Sequence, residues 1–247
     1  SLIVSVTAAV GVAPSSGFAG AVAVSVNTIS VDTEAYIEDS SVVSAGDVTL
    51  SAEDVATIVS IAGGVGVTGG TAGVGASVIV STISNDARAF IRNAPVESPT
   101  GSVDLSASTA PTVVTVSIAG GVANTAGVSG SVAVTVIDSA TEAFIEGGEA
   151  VVADGNVLLA ANSDMDVAAV VGSLALGSTA GVGLASSTVV TNSTTRAFVG
   201  ANGNVTARGG RSAAEVDGAQ AGERVIYTNF RGLSVVATAS QAIGNSS

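Results

Sequence analysis

A five-residue block recurs at a fixed interval, and this recurrence limits the folds open to the chain more than any other feature. Each copy has an alanine followed by an aromatic residue, and the copies are Thr33–Ile37, Ala87–Ile91, Thr141–Ile145 and Thr195–Val199. The aromatic falls at positions 36, 90, 144 and 198, so the step is 54 residues each time. A fixed period of this kind is typical of a repeat protein, in which each unit buries its apolar surface against the next.

We therefore divide the chain into repeats that together form one continuous solenoid. The boundaries are 1–56, 57–111, 112–166 and 167–210, followed by a diverged or partial repeat at 211–247. Each repeat has an apolar Gly-rich part, a second part that ends in the aromatic block, and a short strand opened by glycine, as in Gly46–Leu50. Ala, Val, Gly, Ser and Thr dominate, which favours strands over helices.

The sequence predicts an all-β fold, a right-handed parallel β-solenoid. An alternative is a stack of antiparallel hairpins, in which the first two parts of each repeat pair across a small-residue turn such as Ala13–Ser16. Apolar residues switch from even positions (Val22, Val24, Val26) to odd positions (Ile29 onward), which would place the two sets on opposite faces of one strand. We therefore expect a corner or bulge near Asn27–Thr28, and likewise near Ser81–Thr82 and Val136–Ile137. A 54-residue unit would then hold two or three coils.

Charge and composition exclude several classes of function. The net charge of −13 disfavours nucleic acid, which needs a basic face. The absence of His and Cys excludes the usual His-dependent triads and thiolate or imidazole metal sites. Carboxylate pairs that could hydrolyse glycosides are Asp32 with Glu34, Glu38 with Asp39, and Asp164 with Asp166. Acidic residues on a solvated edge explain them more simply, so we expect no enzyme, no cofactor and no metal.

Four long stretches carry no charge, and their length alone would suggest membrane-spanning helices. They are residues 1–31, 55–85, 105–137 and 167–195. Gly clusters, Ser and Thr interrupt them, and they carry the period-two alternation of strands, as at Val22, Val24 and Val26, so we expect no membrane insertion. A membrane-inserting toxin segment remains an alternative, and it would require the apolar faces to point outward toward lipid.

The residues around each aromatic alternate in charge from one repeat to the next. The expected structural ladder consists of the aromatics and the residues two positions before them: Tyr36, Phe90, Phe144, Phe198, Glu34, Arg88, Glu142 and Arg196. Residues two apart on a strand share a face, so facing repeats would pair acid with base. With two coils per repeat, the spacing would be about 10 Å and the interaction weak.

A sugar-binding platform is the alternative interpretation of the same residues. Aromatic rings stack on sugars, and carboxylates accept hydroxyl hydrogen bonds. The two acidic copies would supply the ligand-binding residues, which are Tyr36, Glu34, Glu38, Phe144, Glu142 and Glu146.

The alternation of Gly/Ala/Val-rich strands with T-E-A-[YF]-I and G-[DN]-V-x-[LA] blocks over residues 1–210 resembles the repeat regions of large secreted bacterial adhesins. These are the filamentous-haemagglutinin-like and leukotoxin-like surface proteins. The resemblance implies a secreted or cell-surface β-solenoid stalk, a stiff extracellular rod that mediates attachment or self-association, with a host-cell or polysaccharide surface as its target. Exposed edge strands would make such a piece associate end to end. A carbohydrate-active β-helix is the other functional alternative.

Overall fold

The structure is a computed structural model that describes residues 1–14, 17–220 and 223–246, and these residues form strands without any helix. The strands follow one another as β1 Leu2–Ala13, β2 Phe18–Glu38, β3 Val42–Val43, β4 Val48–Asp54, β5 Thr57–Thr68, β6 Ala72–Arg92, β7 Val96–Ser98, β8 Val103–Thr109, β9 Thr112–Val122, β10 Ala126–Glu146, β11 Ala150–Ala153, β12 Val157–Leu176, β13 Ala180–Val199, β14 Asn204–Ala207, β15 Ala214–Gln220, β16 Glu223–Phe230 and β17 Leu233–Ser246. The described chain has no helix long and apolar enough to cross a membrane.

Three parallel sheets run the length of the stack. Sheet A contains β1, β4, β5, β8, β9, β12 and β17, sheet B contains β2, β6, β10 and β13, and sheet C contains β3, β7, β11 and β14. Every pairing within these sheets is parallel, and the one antiparallel pair described is β15 with β16. The predicted all-β parallel solenoid is therefore confirmed. The antiparallel alternative is wrong, because β1 and β2 belong to different sheets.

Each repeat makes one coil, so the expected two or three coils per repeat is wrong. Phe18 of β2 pairs with Ala72 of β6, and Ala126 of β10 pairs with Ala180 of β13. Residues one repeat apart are thus direct neighbours across a ladder, about 4.8 Å apart. In this register, equivalent residues stack on each other from coil to coil.

One half of each coil, which we call the hub, is three-sided and has a hydrophobic core. The core lies between β4, β8 and the first half of β12, the second halves of the sheet B strands, and sheet C. Leu50, Leu105 and Leu159 stack in register there, as do Ile91 and Ile145. Burial of these side chains, at roughly 1.5–3 kcal/mol each, is the main apolar contribution to folding.

The other half, which we call the wing, has only two layers and a very thin interior. Here β1, β5, β9 and the second half of β12 lie against the first halves of the sheet B strands. Its inward side chains are mostly Gly, Ala, Ser and Thr. A Cβ built on Gly64 would lie 2.0 Å from the carbonyl oxygen of Ala76, so the two backbones nearly touch. Nothing larger than a small side chain fits at such positions.

Hydroxyl groups hydrogen-bond inside the wing. Ser5 and Ser25 approach to 2.9 Å, and Ser117 Oγ donates to Ser77 Oγ at 2.9 Å. The side chain of Asn27 donates to Ser60 Oγ at 2.7 Å. These contacts satisfy polar groups that would otherwise be costly to bury.

The expected corners near Asn27, Ser81–Thr82 and Val136–Ile137 are wrong. β2, β6 and β10 each run unbroken for 21 residues, and inward and outward positions alternate throughout. The apolar residues change from one face of the strand to the other because the interior is wide in the hub and thin in the wing. In the hub they point inward, whereas in the wing the interior is too thin and Val22, for example, points outward with 61% of its surface exposed.

The wing therefore has apolar outer surfaces. We define the A face as the outward positions of sheet A in the wing, which are the alternate residues from Val4 to Val12, Val59 to Val67, Val114 to Val122 and Ala168 to Leu176. All of them are Val, Ile, Leu, Ala or Gly. The B face is the corresponding surface of sheet B, where coil 4 places Ser186 and Thr188 among the apolar residues.

The end of the chain departs from the pattern but returns to sheet A. β17 pairs with β12 at a separation of 76 residues, because the β15–β16 hairpin is inserted before it. The hairpin spans residues 214–230 within the diverged repeat 211–247, with Ala221 and Gly222 outside the described residues. Ser15 and Ser16 of the first predicted turn also lie outside them.

We expect Gly64→Ala to destabilise the fold and Gly63→Ala to leave it nearly unchanged. The two residues are adjacent on β5 and face opposite ways. The new methyl at 64 would overlap the opposite backbone, whereas at 63 the nearest atom is 3.8 Å away. Overpacking of this kind costs about 1–3 kcal/mol. Urea denaturation followed by circular dichroism measures both, and equal unfolding free energies for the two variants would contradict the thin interior.

Candidate functional site

Three side-chain ladders lie together on the outer side of the hub, on the second halves of the sheet B strands. Strand alternation places residues two apart on one face, and the parallel register stacks each on its equivalent in the next coil. The first ladder is Glu34, Arg88, Glu142 and Arg196; the second is Tyr36, Phe90, Phe144 and Phe198; the third is Glu38, Arg92 and Glu146. The structure thus brings together all the residues singled out in the sequence for this surface.

The aromatic rings form a continuous stack. Centroids of successive rings are 5.2, 5.0 and 5.1 Å apart, and the rings are parallel to within 10°. Stacking leaves Phe90 and Phe144 only 5% and 4% exposed, although both point away from the hub core. Tyr36 in coil 1 keeps 56% of its surface exposed. Each stacked pair adds about 0.5–1.5 kcal/mol beyond area burial.

The flanking ladders alternate acid and base so that each inner charge has a partner on both sides. Arg92 donates from Nη1 to Glu38 Oε1 at 3.0 Å and from Nε to Glu146 Oε1 at 2.7 Å. Its guanidinium carbon also lies 4.8 Å from the Phe90 ring centroid, within cation–π range.

In the first ladder, Arg88 is paired with acidic residues on both sides in the same way. Arg88 Nη1 lies 3.2 Å from Glu34 Oε1, and Arg88 Nε lies 3.4 Å from Glu142 Oε2. Arg88 also contacts Asp86 on its own strand at 2.8 Å. Arg196 closes the ladder by donating to Glu142 from both Nε and Nη2.

Charge pairing raises the pKa of both inner arginines. For Arg92, the hydrogen bonds to Glu146 and Glu38 are the main causes. For Arg88, partial burial lowers the pKa, and the hydrogen bond to Glu34 together with the nearby carboxylates more than offsets it. Both guanidinium groups are therefore cations at any physiological pH.

The expectation that these ladders would interact only weakly is wrong, because it depended on two coils per repeat. With one coil per repeat, equivalent side chains are nearest neighbours. The carboxylates offered for sugar binding are therefore occupied: Glu34 and Glu142 contact Arg88, and Glu38 and Glu146 contact Arg92. Phe144 is covered by its neighbours.

The carboxylate pairs considered for glycoside hydrolysis lie on exposed strand or turn surfaces. Glu34 and Glu38 belong to the ladders, and Asp39 follows at the turn with a positive φ of 48°. Asp164 and Asp166 point outward on β12, where Asp164 accepts a hydrogen bond from Ser240.

Two features escaped the sequence analysis. The apolar faces of the wing were signalled by the switch between even and odd apolar positions, which we interpreted as a corner. A cleft of about 320 Å³ is lined in part by Met165, Ser193, Thr195 and Gln241. Its lining residues lie on β12, β13 and β17, and the position of β17 after the hairpin could not be predicted from composition.

Comparison with protein-family models, with curated proteins and with solved structures finds no match to this chain. The assignment of function therefore depends on the geometry described above.

Truncation of a stacked ring tests the aromatic ladder. We expect Phe144→Ala to lower the free energy of unfolding by about 3 kcal/mol, because the ring is buried between two others. Tyr36→Ala removes a ring that is stacked on one side only and is mostly exposed, so its cost should stay below about 1 kcal/mol. Chemical denaturation of both variants gives the comparison, and a similar loss at the two positions would argue against a buried stack.

Charge reversal tests the ion-pair ladders. Arg92→Glu would set three glutamates in a row, so we expect a lower melting temperature that partly recovers in 1 M salt, where the Debye length falls to about 3 Å. The triple variant Arg92→Glu, Glu38→Arg, Glu146→Arg restores alternation and should melt near the parent. Thermal melts at low and high salt measure this, and a salt-independent loss in the single variant would be incompatible with an electrostatic origin.

A half-buried carboxylate elsewhere on the hub gives a pH-dependent prediction. Burial raises the pKa of Asp104 on β8, and the charge of Asp47 adds to the effect. A carboxyl whose pKa is raised by folding destabilises the fold when ionised, and this cost disappears below its ordinary pKa near 4. Asp104→Asn should therefore raise the melting temperature at pH 7 and have progressively less effect as the pH falls toward 3. A gain that persists unchanged at pH 3 would contradict this.

Proposed function

We propose that this chain is a structural segment of a secreted bacterial cell-surface adhesin, a stalk or filament-forming piece without enzymatic activity. Its role would be to form a stiff extracellular rod that mediates attachment or self-association. The observation that carries the proposal is the in-register ladder, in which each coil presents to the next a complete row of backbone hydrogen bonds and matched side chains. This arrangement supports stiffness along the stack, and it does not distinguish one coil from the others as a catalytic or binding site.

Rigidity follows from three reinforcements that run parallel to the axis. Backbone ladders join the sheets, stacked rings join the hub surface, and alternating charges flank the rings. Bending the rod would open all three at once. A stalk needs this resistance, whereas a catalytic or binding module would need one coil to differ from the others.

Self-association would occur through the first coil. Thr57 N donates to Ser1 O, and Thr71 N donates to Gly17 O, so odd-numbered residues of β1 and β2 direct their backbone groups to coil 2. In a parallel strand the alternate residues point the other way, so even-numbered residues such as Val4 and Val24 direct their N–H and C=O away from coil 2, to the side where a strand of another coil or another copy would pair. An unpaired edge of this kind is a template for another strand.

Electron microscopy and fibre diffraction of the whole chain test the proposal. We expect filaments made by end-to-end stacking, with a repeat near 4.8 Å along the filament axis. The double variant Val4→Pro, Val24→Pro removes two edge N–H groups without breaking an internal ladder bond, and proline is tolerated at edges. It should shorten or abolish the filaments. The matched control Val43→Ala changes an exposed valine without altering the backbone.

Two results would overturn the proposal. Filaments that form equally well from the proline variant would show that edge pairing is not the mode of association. Saturable binding of a defined oligosaccharide by the isolated chain, lost in Tyr36→Ala, would instead support the carbohydrate-binding alternative.

A further inference from the structure

We propose that the A face of the wing binds the A face of a second copy of this chain, so that rods associate side by side. This surface is separate from the edges that end-to-end stacking would use. The inference therefore goes beyond the proposed function and can hold or fail independently of it.

The A face is unusual for a surface because it has no polar side chain in any of the four coils. Val10, Ile118 and Leu174 expose 72%, 53% and 58% of their surfaces. The polar groups of these strands, such as Ser60 and Ser117, are turned inward and hydrogen-bonded within the wing. Contiguous apolar surfaces of this kind mark interaction sites.

The size of the face fits a pair of copies. Four strands about 4.8 Å wide and a run of nine residues at about 3.3 Å per residue make a plane of about 19 Å by 30 Å. Two copies packed face to face would remove about 1,100 Å² from water, counted as flat area. This reaches the roughly 1,000 Å² that a specific interface needs.

The shape of the face is self-complementary. Gly63, Ile118 and Gly172 stand in one row across the coils, so the isoleucine projects between two positions without side chains. A Cβ built on Gly172 would meet no atom within 4 Å, which leaves that hollow open. In a two-fold arrangement the Ile118 of each copy could fill a hollow of the other, as isologous interfaces require.

Charge also favours a second copy. The net charge of −13 lies outside the face, and the charged residue next to it in register is Asp166, one row toward the hub. Two A faces can therefore meet without bringing acidic groups together, whereas contact through the hub surfaces would oppose them. Lipid is a poorer occupant, because the surface of a membrane that contains anionic lipids repels a chain with a net charge of −13.

Sedimentation velocity of the whole chain over a range of concentrations tests this inference. The edge variant Val24→Pro, Thr28→Pro serves as the background, because both positions lie on sheet B outside the A face and their substitution suppresses end-to-end stacking. We expect a monomer–dimer equilibrium whose dissociation constant rises at least about tenfold in Ile118→Glu, since a charge would be buried at the centre of the interface. The milder Ile118→Ser should also weaken the dimer, and circular dichroism verifies that both variants keep the fold.

The matched control is Val132→Glu on the B face. It introduces the same charge on the same coil, at a position with 40% exposure, and should leave the dimer unchanged. The inference is overturned if the background protein is monomeric at every concentration, if Ile118→Glu dimerises as before, or if Val132→Glu dissociates the dimer equally. It is also overturned if the protein stays monomeric in solution but floats with phosphatidylcholine vesicles and Ile118→Glu does not, which would assign the face to lipid.

Discussion

In-register parallel stacking of equivalent residues is the constraint on which the rest of the structure depends. In sheet B each residue lies beside the residue 54 positions later, so a side chain contacts its equivalent and not a sequence neighbour. Like charges at equivalent positions would then repel, and the two ladders beside the aromatic rings avoid this because acid alternates with base from coil to coil. Aromatic rings gain from stacking on each other, so they recur without alternation. The fixed step of the aromatic block is therefore a physical requirement of the ladder.

The two halves of each coil solve the packing problem in opposite ways. The hub closes around large apolar side chains such as Leu105, as most domains do. The wing instead brings two backbones close together, so that Gly64 has no room for a Cβ and the inward side chains are mostly Gly, Ala, Ser and Thr. Most valines of the wing then face outward. Apolar side chains on both surfaces of the wing strands leave long stretches of sequence without charge. These stretches are as long as membrane-spanning helices, although the described residues form strands.

The class of fold could be predicted from the sequence, and the reason lies in particular residues. The recurrence of Tyr36, Phe90, Phe144 and Phe198 predicted a repeat, and the alternation of Val22 and Val24 predicted strands. The number of coils per repeat could not be predicted, because period-two alternation does not report how long a strand runs before it turns. The switch at Asn27 suggested a corner because apolar residues were assumed to point inward everywhere, which fails in the wing. The charge alternation identified the ladder residues, but their contact distances followed only from the register.

Cysteine cross-linking tests the central claim, one coil per repeat, most directly, since the natural chain has no cysteine. Two double variants, Glu34→Cys with Arg88→Cys and Glu34→Cys with Ile61→Cys, place thiols 54 and 27 residues apart. Disulfides form when Cα atoms are about 4.4–6.8 Å apart, a range that includes adjacent strands but not alternate ones. Our account predicts rapid oxidation of the 34–88 pair and none of the 34–61 pair. Preferential oxidation of the 34–61 pair would show two coils per repeat and contradict the structure.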